Sequence, residues 1–482
     1  MIATQPAAHP DLAPALEGCF FFPALESSYE ISGVQGRVPE WLRGTWYVNG
    51  PACFERAGFR YNHWLDGDGM VCALHFGDES IRFTNRFVRT PKFNEEESAG
   101  RFLYRAFGTT FAGNRLRRNV MLEPPVNVSV YPYAGRLLAF GEQSLPYELH
   151  PATLETVGEY DFQGAINEVT PFAAHPKCDG GLLNFGVSFS PTHPTLNVYE
   201  FDALGALLRR RRYPLALQHS LHDFGFTPRH IVFFLSPLLM NFSQFWSGGA
   251  SVMESLEWRP ELGSRLFIAP RIGSADEPFA VDVNEGYCLH VINCFERGGH
   301  LIVDVLLLDS PAYPEYQPLP NLFETAPAGR PVRYLIDIES RRLLETRMLE
   351  YNLAQDFPAV DAHCAGRPYD HFWMLGMSKR GRRGRKFFDQ LAHGNWNEQP
   401  VSDIFQTALG EYLCAEPCFV ANPSHPGEAV VICEHLKPGE HASAILIFDA
   451  FQVGRGPLAS IPLRFAIHPG FHTTFAPGTG AR

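Results

Sequence analysis

Hydrophobic residues in this chain come in short runs of five to nine rather than at the three- and four-residue spacing of an amphipathic helix. Val128–Tyr133, Arg136–Phe140, Leu182–Phe189, Ile231–Leu235, His300–Leu308, Ala429–Cys433 and Ala444–Phe448 are rich in β-branched and aromatic residues and are bounded by Gly, Pro, Asn or Asp. Each predicts a strand. Helical patterning is confined to two short stretches, near Pro39–Leu42 and Phe387–Ala392. Pro and Gly are spread from end to end, and no low-complexity linker divides the chain. Many short strands at fairly even spacing predict an all-β barrel, sandwich or propeller. Seven propeller blades would take roughly 69 residues each, more than a minimal blade repeat, so long loops would have to cover one face. No repeating signature decides among the three architectures.

Composition narrows the class. The chain has 482 residues, is 45% hydrophobic and only 19% charged, and carries 39 Phe against 17 Tyr and 7 Trp. That much apolar material excludes disorder as the main state. The Phe excess fits either a bulky core or an apolar cavity. A formal net charge of −12 argues against a nucleic-acid partner, which needs a positive field. Two basic runs, Arg209–Arg212 and Lys379–Lys386, read as solvated loops, and the second could touch an anionic membrane surface. Ten Cys without a single CxxC predict free, mostly buried thiols in a reducing compartment. There is no basic-then-apolar leader and no apolar run of about 18 residues, so a cytoplasmic protein is expected, with peripheral membrane contact open. Oligomeric state is not legible.

Familiar catalytic strings are missing: GxSxG, GxGxxG after a strand, the P-loop and HExxH do not occur. Asp66–Gly69 (DGDG) begins like a calcium loop but lacks the distal Glu, which favours a turn. Four of the 19 His sit in distinctive settings: His175 in TPFAAHPKCD, His222 in LHDFGFTPRH, His290 in YCLHVINCFER and His472 in HPGFHTTF. Their spacing follows no metal-site rule, and each alone reads as a hydrogen-bonded structural residue. In a closed propeller, however, residues from distant blades converge on one axis, and four imidazoles there would form a nitrogen-only metal site with vacant positions.

Taken together, the strings resemble the carotenoid cleavage oxygenases from about Tyr29 to His472. LRGTWYVNGP (residues 42–51) resembles the family's N-terminal motif with Val48 in place of Arg. HWLDGDGM (63–70) resembles one of its most specific signatures. The stretch from Gly135 to Phe162 resembles the segment bearing a carboxylate behind the metal, and AHPKCD, LHDFGFT, LHVINCFE and GFHTTF resemble the four ligand motifs. The resemblance implies a seven-bladed β-propeller, all-β, with loops and short helices over one face. It implies a single domain over 1–482 with an N-terminal extension, 1–28. It also implies one Fe(2+) per chain held by His175, His222, His290 and His472, with O2 as co-substrate. Glu142, Asp356 and Glu416 match acids that hold three of the His. A carboxylate accepting Nδ1–H fixes the tautomer and aims Nε2 at the metal.

Two departures stand out. Asp356 replaces the family's usual Glu, one methylene longer, which predicts a longer or water-bridged bond or a backbone shift. Val128 stands where cleaving members have a Thr near the iron; retinoid isomerases resemble this chain in carrying Val. The expected reaction is dioxygenase cleavage of a C=C bond in a carotenoid or apocarotenoid. An isomerase and a non-catalytic carotenoid-binding propeller are the alternatives. Stilbene cleavage is disfavoured, because the stilbene branch uses a Lys shortly before the Thr position and no Lys lies between Lys92 and Lys177; Arg115, Arg117 and Arg118 are not equivalent. Phe234, Phe242, Phe245 and Trp246 predict an apolar tunnel mouth facing a membrane.

Overall fold

The computed structural model describes residues 13–478, apart from 168, 189, 284, 352 and 381–385. The first part of the 1–28 extension, Phe189 and the middle of the 379–386 basic run lie outside the described residues. Most apolar runs form strands where their pattern places them. Arg136–Phe140 and His300–Leu308 are strands over those residues, and Ser129–Tyr133, Leu182–Val187, His230–Leu235, Ala429–Lys437 and Ala442–Asp449 differ by a few positions.

Both expected helices are absent. Pro39–Leu42 is one turn, closed by Leu42 N donating to Pro39 O at 3.1 Å. Beyond Phe387 the chain extends into the strand Gln390–Asn395, because Phe387, Phe388 and Leu391 are drawn into a large aromatic core and the backbone pairs with His371–Met377. Arg209–Arg212 likewise belongs to a strand, Leu207–Pro214, at an outer blade edge rather than to a loop.

Seven antiparallel sheets of four or five strands form the propeller. We number blades from the sheet that begins at Ser129. Their innermost strands are Ser129–Tyr133, Lys177–Cys178, Gly225–Phe226, Tyr287–Arg297, Leu353–Ala359, Tyr412–Ala421 and His472–Pro477. Both chain ends close the ring. In blade 7 the strand His472–Pro477 pairs with Gly44–Ala52, with Asn49 opposite His472, and in blade 6 Gln35–Gly36 pairs with Ser460 and Ala459. The helix Ala13–Phe20 packs Leu16, Cys19 and Phe20 into the core. All ten Cys are unpaired, six of them buried.

The HWLDGDGM signature is a structural hub. His63 caps the 3₁₀ turn Trp64–Asp66: its Nδ1 accepts from Leu65 N at 3.0 Å, while Asp66 accepts from His63 N at 3.1 Å. Asp66 also accepts from Gly108 N and the Thr109 hydroxyl, so its carboxylate serves a turn and not a calcium ion. Asp68 meets Lys92 Nζ at 2.6 Å, and Lys92 meets Glu96 at 2.9 Å, all buried. This tie holds the helix Pro91–Ala99 against blade 7. Gly69 donates to Pro125 O at 2.9 Å, and a Cβ there would stand 2.1 Å from the Val126 carbonyl oxygen. Asn127 donates to Leu65 O and Gly67 O, and Asn49 donates to Val126 O and Ser129 O. The signature thereby grips the segment that carries Val128.

Two outcomes follow from this packing. Gly69→Ala must push the Val126 backbone aside, and about 1–3 kcal/mol of stability should be lost in urea unfolding. Glu434 is fully buried in blade 6, with only Oε2 bonded, to Gly470 N at 3.1 Å, and burial pushes its carboxyl up to about 8. Above about 4.5 the unfolded chain has released this proton while the folded chain keeps it, so folding stability must fall as pH rises toward 8. Glu434→Gln should flatten that decline, as read by thermal unfolding across the same pH range.

Candidate metal centre

Each innermost strand, or the residue run leading into it, delivers one group to the axis. His175 precedes the inner strand of blade 2 and His222 that of blade 3; His290 lies within that of blade 4, Asp356 in blade 5, Glu416 in blade 6, and His472 opens blade 7. Blade 1 contributes Val128, just before its inner strand, and Glu142, just after its second. The four His are buried, and one ring nitrogen from each lies within 4.8 Å of the others. Nε2 of His175 and Nε2 of His222 are 2.9 Å apart. Metal–imidazole bonds of about 2.0–2.1 Å place adjacent nitrogens about 3 Å apart, so the spacing fits a shared ion. His290 Nε2 is buried with no partner, as expected of a ligand atom awaiting a cation.

The three acids stand behind three of these rings. His222 Nδ1 lies 2.6 Å from Glu142 Oε1, His290 Nδ1 2.5 Å from Asp356 Oδ1, and His472 Nδ1 3.3 Å from Glu416 Oε2. Asp356 therefore reaches its His directly. The shorter side chain is brought in by the backbone: pairing slips on both sides of Asp356, and Phe357 adopts φ 52°. The same device recurs. Pairing slips between Cys288 and Val291 around His290 and between Cys414 and Cys418 around Glu416, with Ala415 at φ 59° and Gln143, beside Glu142, at φ 53°. Left-handed non-glycine residues cost of order 1 kcal/mol each, and bulges re-aim side chains.

Burial, and then repulsion from the neighbouring rings, holds His175 and His472 well below the ordinary imidazole range, in the neutral form a metal requires. Burial pulls His290 down, but the Asp356 carboxylate outweighs it and the net shift is upward. Burial pushes Glu416 up to about 7.

Asp223 is a site residue that sequence reasoning missed. Its carboxylate sits 4.0 Å from His175 Nδ1, pairs with Lys177 Nζ at 2.7 Å and accepts from Val291 N at 2.9 Å, tying blade 2 to blade 4. The signal was its place directly after His222, with Lys177 two residues after His175. Val128 is buried at the cavity, with its carbonyl accepting from His472 N at 3.2 Å.

A cavity of about 230 Å³ opens onto His222, Glu142 and Val128, with Leu65, Phe107, Phe245, Leu256 and Tyr313 in its walls. The expected aromatic mouth is corrected here. Phe234 is packed between blades 3 and 4, and Phe242 is buried, stacked on the half-buried Trp246 at 4.8 Å. Phe245 alone of the four lines the cavity, because the short helix Phe242–Trp246 turns its apolar side inward. Lys92 also reaches the cavity wall, held by Asp68 and Glu96.

Comparisons with known proteins agree with this geometry. The sequence model of the retinal pigment epithelial membrane protein family, RPE65, matches residues 21–477. The chain is 28% identical to the apocarotenoid-15,15'-oxygenase of Synechocystis sp., over 94% of each chain. It is 30% identical to resveratrol cleavage oxygenase 1 of Aspergillus fumigatus, over 92% of each. Cobalt-substituted Synechocystis apocarotenoid oxygenase has the same fold, with a TM-score of 0.88 and 26% identity over 97% of this chain and 99% of that one. The match spans the propeller and the four histidine motifs alike, and the chain belongs to the RPE65, or carotenoid cleavage oxygenase, family.

Proposed function

We propose that the protein is a non-haem iron(II) dioxygenase, acting as one domain over 1–482, that splits a C=C bond of a carotenoid or apocarotenoid into two carbonyl products. The observation that carries this reading is a largely apolar cavity that reaches His222 of the four-histidine cluster. The donor set fits Fe(2+): four neutral imidazoles leave the ion's charge uncompensated, and Glu142, Asp356 and Glu416 return negative charge from behind the rings. When bound, the iron would supply the vacant positions at which O2 is activated. The chain's own part is positional. His222, Val128 and Tyr313 border the end of the cavity nearest the cluster, and Leu65, Phe107 and Phe245 line a wall that favours a polyene over water. No side chain is needed as nucleophile or general base.

The reading includes a cytoplasmic location with peripheral membrane contact. No helix among the described residues is long and apolar enough to cross a membrane. Val169, 59% exposed, stands at the cavity wall, and Val120 is exposed where Trp246 Nε1 donates to its carbonyl at 2.9 Å. These residues, rather than Phe234 or Phe242, would meet lipid.

A stilbenoid substrate is the second reading. It is favoured by the cavity volume, which falls below the roughly 300–1,000 Å³ of usual small-molecule pockets, and by the name of the resveratrol-cleaving relative. Against it, Lys92, the one lysine lining the cavity among the described residues, is engaged by two carboxylates. The direct Asp356–His290 bond supports an occupied metal site over an empty, non-catalytic one.

Aerobic incubation of iron-loaded protein with apocarotenals and, separately, with resveratrol tests these readings by mass identification of products. Shortened aldehydes are expected from the apocarotenals. Cleavage of resveratrol alone would move the assignment to stilbenoids, and isomers of unchanged length would support an isomerase. His290→Ala should reduce iron from near one per chain to a trace in metal analysis. Asp356→Asn should weaken metal affinity about 10–100-fold in a chelator competition.

A further inference from the structure

We propose that Tyr316 is a positioning residue for His290, and that its hydroxyl makes good the methylene that Asp356 lacks relative to the glutamate of related proteins. The inference rests on the reading that the four histidines hold a metal. Asp356 is buried, and its two oxygens divide their work. Oδ1 lies 2.5 Å from His290 Nδ1 and accepts from Phe357 N at 2.8 Å, while Oδ2 accepts from the Tyr316 hydroxyl at 2.8 Å. Among the described residues, neither the Glu142 nor the Glu416 carboxylate receives a hydroxyl; the Thr473 hydroxyl goes to the Glu416 backbone carbonyl instead. Aspartate has two side-chain torsions where glutamate has three, and the outer one decides which carboxylate oxygen faces the histidine. A donor pinned on the far oxygen sets that torsion and keeps Oδ1 facing the ring.

Tyr316 is suited to this because it is itself immobilised. It ends the 3₁₀ turn Tyr313–Tyr316, and three anchors hold that turn. His63 donates from Nε2 to the Tyr313 carbonyl at 2.9 Å; the proton must be on Nε2, because Nδ1 accepts from Leu65 N. The Glu315 carboxylate accepts from Thr325 N at 3.0 Å and from the Thr325 hydroxyl at 2.5 Å. The Tyr316 ring packs edge-on against Trp64 at 5.2 Å and Phe323 at 5.6 Å. His63 of the HWLDGDGM signature thus acts at a distance on a candidate metal ligand, through the turn and Tyr316 to Asp356.

The test is a cobalt(II) titration of the metal-free full chain, read by chelator competition and by the visible absorption of bound cobalt. Tyr316→Phe keeps the ring and removes only the hydroxyl. It should weaken cobalt binding about tenfold and change the absorption band, with the metal-free melting temperature nearly unchanged. Phe323→Leu, which loosens the packing but spares the hydroxyl, should bind as wild type. Asp356→Glu should make Tyr316→Phe silent, because the longer acid no longer needs the support. Wild-type affinity and absorption in Tyr316→Phe would overturn the proposal. So would an equal loss in Phe323→Leu, a loss that persists beside Asp356→Glu, or failure of Tyr316→Phe to fold, which would make the residue structural. Failure of the wild type to take up cobalt would instead overturn the metal reading itself.

Discussion

Seven strands around one axis impose the constraint from which the rest follows. A β-strand sends alternate side chains to opposite faces, so each inner strand has few positions that can point at the centre. The protein uses nearly all of them for one purpose. Four blades give an imidazole, two give an acid from the inner strand itself, and blade 1 gives an acid from the loop after its second strand and an apolar wall. Burial and mutual repulsion disfavour charge on His175 and His472, while Asp356 draws His290 the other way. A cation at their meeting point, backed by carboxylates, would balance the arrangement.

A regular strand would not satisfy this geometry. The pairing slips at His290, Asp356 and Glu416, and the left-handed residues Gln143, Phe357 and Ala415, lie beside the functional groups. The backbone bends where the chemistry needs a side chain turned off its natural line. The strain is spread over several blades, each with its own ladder of hydrogen bonds and each sharing an apolar core with its neighbours.

The strands and the four histidines were legible because both are local. An apolar run such as His300–Leu308 declares itself, and so does a His in an unusual string. Phe387–Ala392 and Phe234 were misread for the opposite reason. Their neighbours are distant in sequence, and an aromatic residue looks the same whether it faces lipid, a cavity or another blade. Asp356 was legible as a departure, but its remedy was not, since a bulge and a hydroxyl 40 residues away leave no pattern in the run AQDFPAV. Much of the Phe excess that first suggested a tunnel is spent in the cores, with Phe107 and Phe245 among those at the cavity.

Pairing between His472–Pro477 and Gly44–Ala52 sets an order on biosynthesis. His472 is the last of the four histidines to be synthesised, and its strand docks on Gly44–Ala52, made far earlier. The site is therefore completed through a contact between strands distant in sequence, the kind that forms slowly. Acquisition of a complete four-nitrogen site is then a late event, and metal loading would report that the ring has closed.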